Sequence, residues 1–409
     1  MYTQYFKENP EKVKGMIGNT FFGRSGSFLL CSLFDNHPQI LNFPQSNWTY
    51  FTKLLAKEIG SFEEKSSVEF TNHILDNIPY LTEEGNANDP WSIINSPGTI
   101  IQQIGEESGA NIKIGPKRKI LVKELTEIFD IIKKEDKSLN LATLINALHV
   151  GYALALKRKI TSKNVYILYG LHDYEPEVIQ MLSKEYPKFT LMISIRHPAS
   201  TFDSHLYHHL FESPHSDHMW TLGHLYRTLY FSGQKVRGLT DSQQIGVKFE
   251  DVHEKTEVLM KALCRHFSLK WDPILLKSTM DGKIWWAKRN GRLISGPNSK
   301  VMIKSHKYKI LKKIDLCLFS YLFDAYISTW NFFVVKRNLK SLIFQKFFFH
   351  FPFLMPQFLK GVRLEFKKVK TRKDFYQFYQ TWKLHGKEFK VLIKTLRPED
   401  IKPIPLFKI

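Results

Sequence analysis

Gly15-Met16-Ile17-Gly18-Asn19-Thr20-Phe21-Phe22, then Gly23-Arg24-Ser25-Gly26-Ser27, then Phe28-Leu29-Leu30-Cys31-Ser32-Leu33-Phe34 is the stretch that decides the fold. The first piece is apolar enough for a buried strand, although Gly18-Asn19-Thr20 interrupts it. The middle is a tight loop of small residues, and the last runs at helical spacing. Strand, loop and helix in that order place backbone N–H groups and the positive end of a helix dipole around one point. Small side chains let those amides approach an oxyanion closely, and Arg24 can fork onto its oxygens. The plainer alternative is a solvated turn before a helix.

Working outward, Val165–Tyr169, Phe189–Ile195 and Ile245–Phe249 are short apolar runs with the pattern of buried strands. Pro176–Glu185 reads as a crossover helix opened by proline, and Val258–His266 as an amphipathic helix. Strands alternating with helices predict an α/β fold, a parallel sheet flanked by helices. Ligands of such sheets bind at the carboxyl ends of the strands. Arg24-Ser25-Gly26-Ser27, His172-Asp173 and Arg196 all fall at those ends.

Arg196 ends its strand, and Ser204 lies eight residues on, along the next predicted helix. Together they can offer charge and a hydroxyl donor to a second anion. A solvated arginine and a surface serine are the alternative. Gly18 to Ser25 also has the spacing of a P-loop NTPase, with Arg24 where lysine is expected. No apolar strand ends in an aspartate placed for magnesium, which counts against that kinase-type reading.

These segments resemble the sulfotransferases that use 3′-phosphoadenosine 5′-phosphosulfate (PAPS). Gly23–Leu30 followed by Leu33-Phe34-Asp35-Asn36-His37-Pro38 is similar to the family's donor loop and helix. Ile195-Arg196-His197-Pro198 through Ser204 is similar to its 3′-phosphate motif, with Glu185-Tyr186-Pro187-Lys188-Phe189 as the lead-in. Val247–Val252, Cys264–Leu269 with Trp271-Asp272-Pro273, and Gly282–Trp286 resemble further family segments. The resemblance covers about residues 15–300 and implies a P-loop-type parallel sheet. It implies that Arg24 and the amides of Ser25, Gly26, Ser27 and Phe28 hold the 5′-phosphosulfate, assisted by the Ser27 hydroxyl. Arg196 and Ser204 would hold the 3′-phosphate. Arg289–Asn298, with Gly291 and Gly296, would close over the nucleotide. Trp285 or Trp286 would stack on a ring or pack in the core.

For the base, one branch of the family uses a glutamate after the "HP" dipeptide, but Pro44-Gln45-Ser46 stands there. Another uses a histidine at a strand end before the 3′-phosphate strand, which His172 matches, with Gly170 where the family has lysine. Asp173 is the neighbouring alternative. The histidines His205, His208, His209, His215 and His218 lack an HExxH pattern, and sulfuryl transfer needs no metal, so none is expected.

The 409 residues carry a net charge of +20, of which +16 lies beyond residue 300 (23 Lys and Arg against 7 Asp and Glu). The body is nearly neutral, so no nucleic-acid partner is required. The expected division is a sulfotransferase domain over 1–305 and a basic, aromatic-rich, mainly helical extension over 306–409. The aromatic run Leu342–Leu354 with its basic flanks suits a membrane interface or a polyanion; lysine-edged packing on the body is the alternative. Three scattered cysteines, with no signal peptide and no transmembrane run, point to a cytoplasmic enzyme. The expected partner is a hydroxyl-bearing acceptor, a glycan or glycolipid, with peripheral membrane contact through the extension. A silent anion- or membrane-binding protein on the same fold is the remaining alternative.

Overall fold

Alternate residues of each central strand feed two different apolar clusters, which makes the sheet a buried layer with helices on both faces. Along β1 (Gly15–Phe21), Met16 enters one cluster and Ile17 the other. The computed structural model describes residues 2–21, 25–43, 48–88, 101–104, 114–171, 175–207, 233–289 and 292–299. Of the tail it describes 308, 311, 316, 319–320, 323–332, 369–376, 379 and 401–409. The side chains at 21, 48, 86–88, 101–104, 205–206, 286–289 and 292–294 lie outside the description.

The main sheet adds β2 (Ile40–Asn42), β4 (Tyr166–Leu171), β5 (Phe189–Ile195) and β6 (Gln244–Lys248), with β3 lying in a second sheet. Its order is β2-β4-β1-β5-β6, and every pairing is parallel. On β4, Ile167, Tyr169 and Leu171 join one cluster while Tyr166 and Leu168 join the other; on β5, Met192 alone leaves the company of Leu191, Ile193 and Ile195. Helix α2 (Ser27–Phe34) and the later helix Thr256–Phe267 cover one face. The other is covered by helices at Trp48–Glu58, Ser67–Asn77, Arg118–Lys134 and Leu141–Ala155, together with the two crossover helices, Pro176–Glu185 after β4 and Pro198–Tyr207 after β5.

The second sheet is antiparallel: β3 (Ile101–Ile104) pairs with β8 (Lys283–Arg289), which also pairs with β7 (Thr279–Met280) and β9 (Arg292–Ser295). Nothing in the sequence pattern announced it. The expected segment Gly282–Trp286 therefore begins a strand, and Trp285 is 5 % exposed within the apolar cluster of α2.

The extension is helical at Asp324–Thr329 and at 372–376, but its last nine residues are extended. They lie along the open edge of β6 through a parallel bridge between Gly246 and Leu406. The aromatic run 342–354 lies outside the described residues, as do the histidines His208, His209, His215 and His218 and the side chain of His205. No helix among the described residues is long and apolar enough to cross a membrane.

Candidate nucleotide site

Strand register brings the candidate residues to one edge of the sheet. Thr20 is level with Leu171 and Ile193, Phe21 with Ser194, and Ile195 with Lys248. The carboxyl ends of β4, β1, β5 and β6 therefore lie side by side, with Arg196 directly after β5 and Phe249 directly after β6. Arg24, His172 and Asp173 belong to these loops and lie outside the described residues, as do Gln45, Ser46, Gly291 and the Trp286 side chain.

The part of the first loop that is described is tightly held. Ser25 is fully buried, and its carbonyl accepts a hydrogen bond of 2.9 Å from the Ser194 hydroxyl on β5. Gly26 caps α2 with φ +89°, in the left-handed region that only glycine enters without strain. A Cβ there would also lie 2.1 Å from Cδ2 of Phe249. Ser27 opens the helix, so its amide and those of the next residues are among the helix-start N–H groups that have no partner within the helix. Ser27 is buried and Phe28 half-buried.

Phe249, the first residue of a short helix (Phe249–Glu254) after β6, joins the parts. Its ring abuts Gly26, and the Arg196 guanidinium carbon sits 4.9 Å from its centroid. Arg196 is 8 % exposed, so its charge is largely withdrawn from water. His253, one turn beyond Phe249, packs edge-on to the same ring at 4.5 Å. Its Nδ1 accepts the backbone N–H of Asn298 at 2.9 Å, so the proton of the neutral ring is on Nε2. That bond draws the Gly296–Asn298 turn to the same end of the molecule; Gly296 has φ +70°, and a Cβ there would lie 4.0 Å from Cβ of Ser278. Ser204 sits on the helix after Arg196, on the face of Ser200 and Thr201 and half-buried. Of the residues expected to bind the nucleotide, Gly26 and Arg196 both touch the Phe249 ring.

Unsatisfied groups gather at this edge as well. The buried side-chain atoms Thr20 Oγ1, Ser25 Oγ, Thr201 Oγ1 and Glu250 Oε2 have no hydrogen-bond partner among the described residues. Orphans of this kind are costly in a finished interior and are what a polar ligand satisfies. Burial pushes the Glu250 carboxyl upward, against the opposing pull of its own N–H and of Arg196, Lys248 and the His197 N–H. A cradle of small residues, orphaned hydroxyls and a buried arginine fit a phosphorylated ligand. Among the described residues no cluster of three or more metal-ligating side chains occurs.

Sequence reasoning placed Arg196, Ser25–Phe28 and Gly296 but gave Phe249, Glu250 and His253 no role. Their signals were the resemblance of Val247–Val252 to a family segment and its position across a strand end, where parallel sheets put ligands.

No family model matches the sequence, and no curated protein matches it. Solved structures that align with the chain are sulfotransferases. The sulfotransferase domain of the Synechococcus PCC 7002 olefin synthase is 12 % identical, with a TM-score of 0.37 over 84 % of this chain and 97 % of that one. The sulfotransferase domain from the curacin biosynthetic pathway is 13 % identical, with a TM-score of 0.39 over 79 % of this chain and all of that one. A sulfotransferase from Mycobacterium avium is 11 % identical, with a TM-score of 0.35 over 82 % of each chain.

Proposed function

We propose that this chain is a PAPS-dependent O-sulfotransferase. The observation that carries the proposal is the Phe249 ring, which touches both the Gly26 turn and the Arg196 guanidinium. Two anion-binding elements far apart in sequence thereby share one sheet edge, the arrangement required to hold a nucleotide with phosphates at both ends. The four orphaned polar atoms of that edge support it.

In this reading the loop Arg24–Phe28 holds the 5′-phosphosulfate, and Arg196 with Ser204 holds the 3′-phosphate. The turn at Gly296 closes over the nucleotide. The acceptor hydroxyl oxygen attacks sulfur in line, the bond from sulfur to the phosphate oxygen breaks, and the electron pair leaves with adenosine 3′,5′-bisphosphate. The hydroxyl proton passes to His172 or to its neighbour Asp173. Arg24 and the loop amides neutralise charge on the leaving phosphate and on the transferring oxygens, and no metal takes part. The acceptor we propose is a glycan or glycolipid, approached through peripheral membrane contact of the basic extension over 306–409. Phe375, Tyr376 and Tyr379 are exposed there beside Lys370, Arg372 and Lys373, as an anionic interface favours. Cys31 and Cys264 are free thiols, in keeping with a cytoplasmic enzyme.

Incubation with sulfur-labelled PAPS and a panel of glycan and glycolipid acceptors tests the assignment. Label should move to an acceptor hydroxyl, and Arg24→Ala should cut that transfer by roughly a hundredfold or more. Transfer of phosphate from ATP, with none of sulfate from PAPS, would replace the reading with a kinase.

A further inference from the structure

The extension beyond residue 305 carries none of the phosphate motifs, yet it reaches the residues on both sides of Arg196. Phe332 packs edge-on against the His197 ring at 5.4 Å, and the Lys248 ammonium sits 4.7 Å from the same phenyl centroid. Lys248 also donates to the Asn331 carbonyl at 3.2 Å. His197 is gripped from the other side, because the Glu250 carboxylate accepts its backbone N–H. His197, the residue immediately after Arg196, is therefore held by its backbone through Glu250 and by its ring through Phe332.

Phe332 is in turn tied to the C-terminus. Its ring meets that of Trp330 at 6.2 Å, nearly perpendicular, and the Trp330 indole N–H donates to the Ile404 carbonyl at 2.9 Å. Ile404 is fully buried, and its N–H bonds the Gly233 carbonyl. On either side of it, the Lys402 carbonyl accepts from Lys235 N–H and the Pro405 carbonyl from Gly246 N–H, while Phe407 N–H returns a bond to Gly246. Residues 405–407 thus pair with the otherwise open edge of β6 at Gly246 while residues 402–404 pair with residues 233–235, and β6 leads directly to Lys248 and Phe249.

We propose that Phe332 is a positioning residue for Arg196, and that the segment 402–407 holds it in place, so that recognition of the 3′-phosphate depends on the docked C-terminus. This rests on the sulfotransferase reading of the site. The path from Ile404 through Trp330, Phe332 and His197 to Arg196 is a contiguous set of packed groups, and its coupling is measurable.

Calorimetric titration of the full chain with adenosine 3′,5′-bisphosphate and with adenosine 5′-monophosphate reads it. In Phe332→Leu, which keeps apolar volume but removes the ring faces, the bisphosphate should bind about threefold to thirtyfold more weakly. The monophosphate should bind as before, and the melting curve should stay close to that of the unaltered protein. Ile404→Asp, which expels the segment, should give the same selective loss; if it does not fold, Phe332→Leu alone decides. A bisphosphate preference that survives Phe332→Leu would overturn the proposal while leaving the function intact. Equal binding of both nucleotides by the unaltered protein would overturn the nucleotide reading and this proposal with it.

Discussion

Arg196 is a cation whose freedom folding restricts. It follows a strand buried at every position but Thr190 and lies over an aromatic ring beside a buried carboxylate, so its side chain would have little freedom left to lose on binding an anion. Arg196→Ala should remove most of the preference for a 3′-phosphorylated nucleotide while leaving 5′-phosphate binding; competition between adenosine 3′,5′-bisphosphate and the 5′-monophosphate measures it, and an unchanged ratio refutes the assignment. That an arginine stood at this strand end was legible in the sequence. That Phe249 would touch both it and Gly26 was not, because ring contacts across two crossovers leave no local pattern. His149 makes a second case at this scale. It is buried against Phe43, whose ring centroid is 3.8 Å away, and its Nδ1 meets the Ile145 carbonyl at 2.8 Å. Burial, opposed by that carbonyl and aided by the Arg158 charge, lowers its pKa from 6.5 to about 3. The unfolded chain binds this proton and the folded one does not. The contribution is therefore complete above pH 6.5 and is lost as pH falls toward about 3. Urea unfolding should show stability falling by up to about 1.4 kcal/mol per pH unit from this group within that window. His149→Gln should flatten the slope, and an unaltered slope would reassign it.

Among the elements, the parallel strands were readable because each is a short apolar run bounded by turn residues; Phe189–Ile195 and the crossover helix Pro176–Glu185 match their expected bounds. β2 was not, since three residues carry no period. β8, Lys283-Ile284-Trp285-Trp286-Ala287-Lys288-Arg289, has charges at its ends and an adjacent tryptophan pair and so shows no period of two, and Pro403 and Pro405 disguise the extended pairing at 402–407. What ties the antiparallel sheet to the main one is equally tertiary. Arg158, just past helix Leu141–Ala155, donates to Asn42 of β2 at 2.9 Å, to Asp35 at 3.1 Å and to Asp281 of the β7–β8 turn at 2.9 Å. Asp35 accepts from Thr279 and from the Gly282 N–H, and Asp281 from the Tyr152 hydroxyl and the Gly115 N–H. Both carboxylates are nearly sealed from water, so removing the single arginine strands two buried charges. Arg158→Ala should cost about 3–5 kcal/mol in denaturant unfolding. A loss below about 1 kcal/mol would mean that water replaces the guanidinium there. At the start of α2, Gly26→Ala meets both a left-handed backbone and the Phe249 ring. It should weaken binding of the bisphosphate far more than its stability cost of roughly 1–3 kcal/mol lowers the melting curve. A variant that binds as tightly as the unaltered protein would show that the turn plays no part in holding phosphate.

Across the whole molecule, charge and chemistry are divided. The near-neutral body carries the sheet edge with its arginine, glycine turn and orphaned hydroxyls, while most of the +20 lies in the extension. Yet the extension closes the β6 edge and backs the residues beside Arg196, so the molecule works as one unit around that edge. The account therefore stands on a single ligand bridging the Gly26 turn and Arg196, and thermal unfolding with competing nucleotides addresses it most directly. Adenosine 3′,5′-bisphosphate at a hundredfold excess over its dissociation constant should stabilise the fold by about 2.7 kcal/mol, with ATP and magnesium giving far less. Stabilisation by ATP with magnesium and none by the bisphosphate would contradict it.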